Sequence, residues 1–217
     1  MRVFVALACL LVNCLAQKPQ PCDCPPKMTG EAMVNFTYND NWVKMRYVYD
    51  AVGQRMRIFK NATLEDEIIN TDSLLLFKEE VVYNINDQNR TCTKLPLKGD
   101  FNTLGVPKDA SLLSQVVLGS SSGPGEGLMV NTWLGNLRDG GGDFISAVTA
   151  VGCIPVSLIY KLKADEQVLG WMVQSFFNNV IGIPDPSLLS PPSFCKDAKM
   201  MNTKEQVDFF SLFLHKK

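Results

Sequence analysis

Cysteine placement constrains this chain more than any other feature. Seven cysteines occur in 217 residues, and Cys9 and Cys14 fall inside an apolar leader. That leaves Cys22, Cys24, Cys92, Cys153 and Cys195 for the processed protein. In an oxidising compartment such cysteines pair, and five permit at most two internal bridges. The remaining one is a free thiol or a link to a second chain.

The compartment is read from residues 1–16. Met1 and Arg2 precede an apolar run from Val3 to Val12, and Cys14-Leu15-Ala16 supplies the small-residue exit that signal peptidase accepts. Cleavage is expected after Ala16, with 17–217 forming one domain. The run is short for a bilayer span, and no later segment has the roughly 20 uninterrupted apolar residues a membrane helix needs. A secreted, extracellular protein follows, with the lysosomal lumen as another destination on the same route. Three sequons fit that route: Asn35-Phe36-Thr37, Asn61-Ala62-Thr63 and Asn89-Arg90-Thr91. Glycosylation requires each asparagine to be exposed, which predicts loops or strand edges at Asn35, Asn61 and Asn89.

Hydrophobic residues make up 46% and charged residues 20%, which suits one domain with a sizeable core. Lys plus Arg (21) nearly balances Asp plus Glu (22), so there is no basic field to hold a phosphate backbone, and nucleic acid is not expected as a partner.

Local patterning is that of strands and turns. Trp42 to Tyr49 alternates, with Val43, Met45, Tyr47 and Tyr49 on one face and Trp42, Lys44, Arg46 and Val48 on the other. A turn at Asp50-Ala51-Val52-Gly53 leads into Gln54 to Phe59, as in a hairpin. Further strands are predicted at 73–77, 81–85, 91–95, 115–118, 127–134, 143–151, 156–162 and 168–177. Their turn signals include Asn86-Asp87, Gly123-Pro124-Gly125 and Gly140-Gly141-Gly142. Short strands without interleaved helices predict a mainly β fold of antiparallel sheets packed face to face. One helix is expected, from Lys204 to Leu214, with Thr203 as N-cap and its apolar residues packed on a sheet.

Two chemical readings are weighed and set aside. Cys22-Asp23-Cys24 places two thiols close together, but no second cysteine or histidine pair completes a zinc site. Gly119-Ser120-Ser121-Ser122-Gly123 fits the letters of a nucleophile elbow, yet Pro124, Gly125 and Gly127 follow where a helix must begin. The single histidine, His215, sits at the far end of the chain. No catalytic residues are assigned, and the protein is not expected to be an enzyme.

A family resemblance is carried by residues spread along the chain. They include Pro21-Cys22, Tyr49-Asp50 with Gln54-Arg55, and Val82-Tyr83-Asn84-Ile85 leading to Cys92-Thr93-Lys94. Later come Val106-Pro107 before Ala110, Gly127-Leu128 with Val130 and Trp133, and Cys153-Ile154-Pro155-Val156-Ser157. Pro191-Pro192 before Cys195 and the tail Phe209-Phe210-Ser211-Leu212-Phe213 complete the set. The chain resembles the ependymin family, including its fish brain members. The resemblance implies two stacked, curved antiparallel sheets around a deep apolar pocket, similar to bacterial lipoprotein carriers, and a homodimer. It also implies bridges from Cys22 to Cys153 and from Cys92 to Cys195. Cys24 has no family counterpart, and an intermolecular disulfide is its expected role.

Such a pocket suits a lipid or other hydrophobic ligand, since each buried methylene contributes about 0.8 kcal/mol. Candidate lining residues are Tyr47, Tyr49, Phe77, Trp133, Phe144, Tyr160, Trp171 and Phe176. The resemblance further implies calcium binding and association with a collagen-like extracellular matrix, which makes a calcium-dependent adhesion glycoprotein the alternative function. No loop matches an EF-hand; Asp139 and Asp143 flank a flexible turn with only two carboxylates, so no metal ligands are named.

Overall fold

Alternating burial organises the chain into strands, and the hairpin predicted at residues 42–59 shows why. Val43, Met45, Tyr47 and Tyr49 are buried, while Trp42, Lys44 and Arg46 remain exposed. The structure, a computed structural model, describes residues 18–37, 42–64, 67–136, 142–164 and 167–201. The leader at 1–16, the turn residue Asp139, the helix expected at Lys204–Leu214 and His215 lie outside the described residues.

Eleven strands are described: β1 (Lys27–Phe36), β2 (Trp42–Asp50), β3 (Arg55–Leu64), β4 (Glu67–Leu76), β5 (Val81–Asn86), β6 (Thr91–Pro96), β7 (Ser111–Gly119), β8 (Gly127–Asn136), β9 (Asp143–Thr149), β10 (Pro155–Ala164) and β11 (Gln167–Ile181). They form one antiparallel sheet in the order β6-β5-β4-β3-β2-β1-β11-β10-β9-β8-β7. Two meanders, β1–β6 and β7–β11, therefore meet at a seam between β1 and β11, paired from Met28 opposite Ile181 to Phe36 opposite Met172 with one register shift between Thr29 and Glu31. The expectation of two separate sheets is corrected here. Because β1 uses its other edge on β2, both meanders belong to one hydrogen-bonded ladder.

β1 is the strand that sequence patterning does not find. Its inward positions are Met28, Gly30, Ala32, Val34 and Phe36, and two of these side chains are too small to register as an apolar stripe. Gly30 is required where it stands. A Cβ there would collide with the Tyr47 ring and the Asn179 side chain, which lie over it.

The inward face carries the main core, including Met28, Val34, Phe36, Met45, Tyr47 and Met172. Segment 97–110, between β6 and β7, lies against this face. Leu97 and Val106 are buried, and Phe101 stacks on Tyr49 (5.6 Å between ring centroids) and meets Phe77 edge-on at 5.2 Å. The amide of Leu104 donates to the Tyr49 hydroxyl at 3.3 Å, and that of Val106 to the Cys22 carbonyl at 2.9 Å.

The opposite face is covered by the chain after β11. Two short 3-10 turns, Pro186–Leu189 and Ser193–Cys195, place Leu189 and Cys195 against Val48, Leu74, Leu76 and Ile85. Arg57, almost fully buried, holds Asp72 through Nε at 2.8 Å and Nη2 at 2.6 Å, and donates from Nη1 to the Leu188 carbonyl at 3.1 Å. A buried guanidinium needs such complete pairing to offset its lost hydration.

The structure bridges Cys22 to Cys153 and Cys92 to Cys195, across 131 and 103 residues of sequence. The first ties the amino-terminal segment to the β9–β10 turn on the inward side. The second ties β6 to the 3-10 turn on the outer side.

Candidate functional site

The inward face and segment 97–110 do not meet everywhere. Between them lies a cavity of about 160 Å³, bordered by Phe101 to Gly105 above and by Phe144, Ser146, Leu158 and Tyr160 on β9 and β10. A smaller one of about 30 Å³ adjoins it, bordered by Met56, Phe77, Leu158, Tyr160 and Gln174. The two share Leu158, Tyr160 and the stretch Phe101–Leu104, so that stretch is the partition between them. Met56 on β3 and Tyr160 on β10 stand four strand steps apart, about 19 Å across a flat sheet. Both border the smaller cavity, so the sheet bends around segment 97–110.

Of the eight candidate lining residues, the structure brings Phe77, Phe144 and Tyr160 to these cavities. The others are placed elsewhere, because inward-facing aromatics near the seam pack against one another. Tyr47 meets Phe176 edge-on at 6.0 Å, its hydroxyl donating to Asn179 Oδ1 at 2.6 Å, and only its outer side borders a groove on the opposite face. Tyr49 is fully buried beneath Phe101. Trp133 belongs to a separate cluster with Val106, Val148 and the Cys22–Cys153 bridge. Trp171, 37% exposed, lies on the outer face beneath the ammonium of Lys161.

Sequence reasoning did not find Leu104, Ser146, Leu158 and Gln174. Gln174 carries a signal: it sits at an inward position between Met172 and Phe176, where alternation calls for an apolar residue.

Cys24 is 7% exposed, and its thiol donates to the Tyr49 hydroxyl at 3.7 Å. Burial pushes the thiol above its ordinary range, outweighing the Tyr49 hydrogen bond that pulls it down. An interchain disulfide does not fit this position, since the sulfur lies within the core and beside segment 97–110. Burial also pushes the phenols of Tyr47, Tyr49 and Tyr160 well above their usual values.

The sequons divide. Asn89 is exposed in the β5–β6 turn, and Asn61 is exposed on β3, where its amide donates to Asn70 Oδ1 at 2.9 Å. Asn35, expected on a loop or edge, is half-buried on the central strand β1, between Trp42 of β2 and Val173 of β11. Gly119–Gly127 closes the β7–β8 hairpin, so Ser121 sits in a strand-to-strand loop and not on an elbow leading into a helix. Among the described residues, no group of three or more His, Cys, Asp or Glu side chains is placed to hold a metal ion, and Asp143 lies 3.7 Å from the ammonium of Lys161. No described helix is long and apolar enough to cross a membrane.

Comparison with known proteins shows the family. The family model described as Ependymin matches residues 65–195. The chain is 28% identical to Ependymin-2 of Carassius auratus, over 96% of this chain and 98% of that protein. It is 30% identical to Ependymin of Esox lucius, over 95% of this chain and 91% of that protein. Among solved structures, it is similar to a LolA superfamily protein from Nitrosomonas europaea at 8% identity and a TM-score of 0.35, covering 77% of this chain and 91% of that one; this likeness is too loose to fix a common fold.

Proposed function

Since the chain belongs to the ependymin family, we propose that it is a secreted, non-catalytic glycoprotein that carries a lipid or other hydrophobic ligand between the inward face of its sheet and segment 97–110. One observation carries this reading: an apolar sheet face is roofed by a segment without strand or helix, and cavities run along the contact. A cavity of this volume is about the size of an engineered one that holds benzene. A longer chain is admitted by lifting the roof, which is held at few points and opens more readily than the ladder beneath it. Each methylene then moved out of water contributes about 0.8 kcal/mol.

The two bridges support the secreted route, since structural disulfides persist where the surroundings are oxidising. The subunit contact of a homodimer is placed on the β7–β8 hairpin. β7 is an open sheet edge, and Val116, Val117, Leu118, Leu128 and Met129 are exposed along it, an apolar surface suited to a second copy.

The test is native mass spectrometry and organic extraction of protein purified from eukaryotic cells. A co-purifying amphiphile, released when the protein unfolds, is the expected result. Repeated preparations free of any amphiphile, and unable to take one up, would overturn the reading.

A further inference from the structure

The outer face of β2–β5 carries a groove of about 630 Å³, on the far side of the sheet from the cavities beneath segment 97–110. Its floor is one cross-strand row: Arg46 on β2 stands opposite Phe59 on β3, Phe59 opposite Asp72 on β4, and Asp72 opposite Ile85 on β5. Asn61 stands on its rim, with Asn70 opposite on β4. Asn61 is exposed and opens the sequon Asn61-Ala62-Thr63, so a glycan attached there starts at the mouth of the groove.

Spacing along β3 brings that glycan onto an aromatic ring. Phe59 and Asn61 are two residues apart and share a face, with Cα atoms about 7 Å from each other. The Phe59 ring is half-buried and carries the Arg46 guanidinium 4.4 Å from its centroid. Both side chains border the groove, so a guest there meets a ring beside a planar set of donors. Asp72 and the amides of Asn70, Asn86 and Gln88 add acceptors and donors around it. A ring among neutral amides and charges of both signs suits the C–H face and hydroxyls of a neutral sugar. Being tethered, that sugar has an effective concentration on the order of millimolar, so contacts too weak to hold a free saccharide are enough to seat it.

The modification is compatible with the contact Asn61 already makes, from Nδ2 to Asn70 Oδ1 at 2.9 Å. Transfer to a sequon bonds C1 of N-acetylglucosamine to Nδ2, breaks the bond from C1 to a lipid pyrophosphate, and releases one Nδ2 proton. The other N–H remains to donate to Asn70.

Resting on the reading of the chain as a secreted glycoprotein, we infer that this groove is the seat of the Asn61 glycan, whose first N-acetylglucosamine lies against Phe59 and Arg46 and covers the outer face there. Asn89, in the exposed β5–β6 turn, does not border the groove and serves as the internal reference.

The test is release of glycans by peptide-N-glycosidase from folded, full-length protein secreted by eukaryotic cells, followed site by site by mass spectrometry. Asn61 is expected to lose its glycan several-fold more slowly than Asn89, and at the same rate once the protein is unfolded. Phe59→Leu, which keeps an apolar side chain and removes the ring, should bring Asn61 to the Asn89 rate and leave Asn89 unchanged. If Phe59→Leu is not secreted, Arg46→Ala, at an exposed position, takes its place with the same expected result. Melting separates a glycan seat from a purely structural ring: Thr63→Ala, which abolishes the sequon and keeps Asn61, should lower the melting temperature more in the parent protein than in the Phe59→Leu or Arg46→Ala background. Equal release at both sites, slow release at Asn61 that the deciding variant leaves slow, or an equal fall in melting in both backgrounds overturns the seat and leaves Asn61 a glycosylated position. A bare Asn61 in the secreted protein overturns its glycosylation and the seat together.

Discussion

The hydroxyl of Tyr47 passes over Gly30 on the neighbouring strand and ends 2.6 Å from Asn179 Oδ1 on the strand beyond. Asn179 in turn donates to the Pro155 carbonyl at 2.9 Å, so one phenol links β2, β11 and the start of β10 across the seam. The absence of a side chain at position 30 makes that crossing possible. Gly30→Ala should therefore destabilise the fold by about 1–3 kcal/mol, the usual cost of overpacking a filled core. Equilibrium unfolding in urea checks it; a midpoint unchanged from the parent protein would show that the ring has room to move.

The outer bridge is expected to contribute as much. Cys92→Ala paired with Cys195→Ala removes the tie between β6 and the 3-10 turn and should cost about 2–5 kcal/mol. Limited proteolysis should then cut within residues 183–201 first, because that segment has no strand of its own in the sheet ladder. Unaltered cleavage there would mean that the packing of Leu189 and the hydrogen bonds from Arg55, Arg57 and Met201 hold the segment without the bridge.

Stability should fall on the alkaline side. Burial raises the Cys24 thiol and the Tyr47 and Tyr49 phenols, so the folded protein keeps protons that the unfolded chain releases. Their contribution is full below about pH 8.5, where an unfolded cysteine ionises, and declines from there through the phenol range at and above about pH 10. Denaturant midpoints measured against pH should show this decline, and Cys24→Ala should delay its onset to the phenol range. A curve for Cys24→Ala that begins to fall at the same pH as the parent would rule out the thiol as the source.

Glycan occupancy should follow exposure. Asn89 and Asn61 are expected to carry glycans, and Asn35 to stay bare on its central strand. Peptide mapping after enzymatic deglycosylation in heavy-oxygen water reads each site separately. Full labelling at Asn35 would mean that β1 accommodates a sugar.

The hairpin edge predicts the oligomeric state. Val117 and Met129 are cross-strand partners and both are exposed, so replacing the pair with lysines places charge in the middle of the proposed contact. Light scattering should give twice the chain mass for the parent protein and a single chain for the double variant. A parent protein at the single-chain mass would remove the dimer from consideration.

Ten of the eleven strands are legible in the sequence because their residues declare a face, as Val43, Met45, Tyr47 and Tyr49 do. β1 is not, since Gly30 and Ala32 owe their places to neighbours that arrive from β2 and β11. The joining of two meanders into one ladder is hidden for a related reason: strand pairing at β1 and β11 is decided between segments more than a hundred residues apart. The site is legible in part. Phe77, Phe144 and Tyr160 stand out as aromatics on strands, but Leu104 and Gly105 gain their roles only when Phe101 finds Tyr49. Ser146 looks like an ordinary strand residue until its neighbours are known.

The position of the seam has a consequence for how the molecule is made. The first strand finds its second neighbour only after the eleventh has left the ribosome, so the middle of the sheet is the last part to be zipped. Non-local pairing of this kind is slow. Until it happens, a nascent chain presents two half-sheets with raw inner borders, and a truncation before residue 167 would leave them that way permanently.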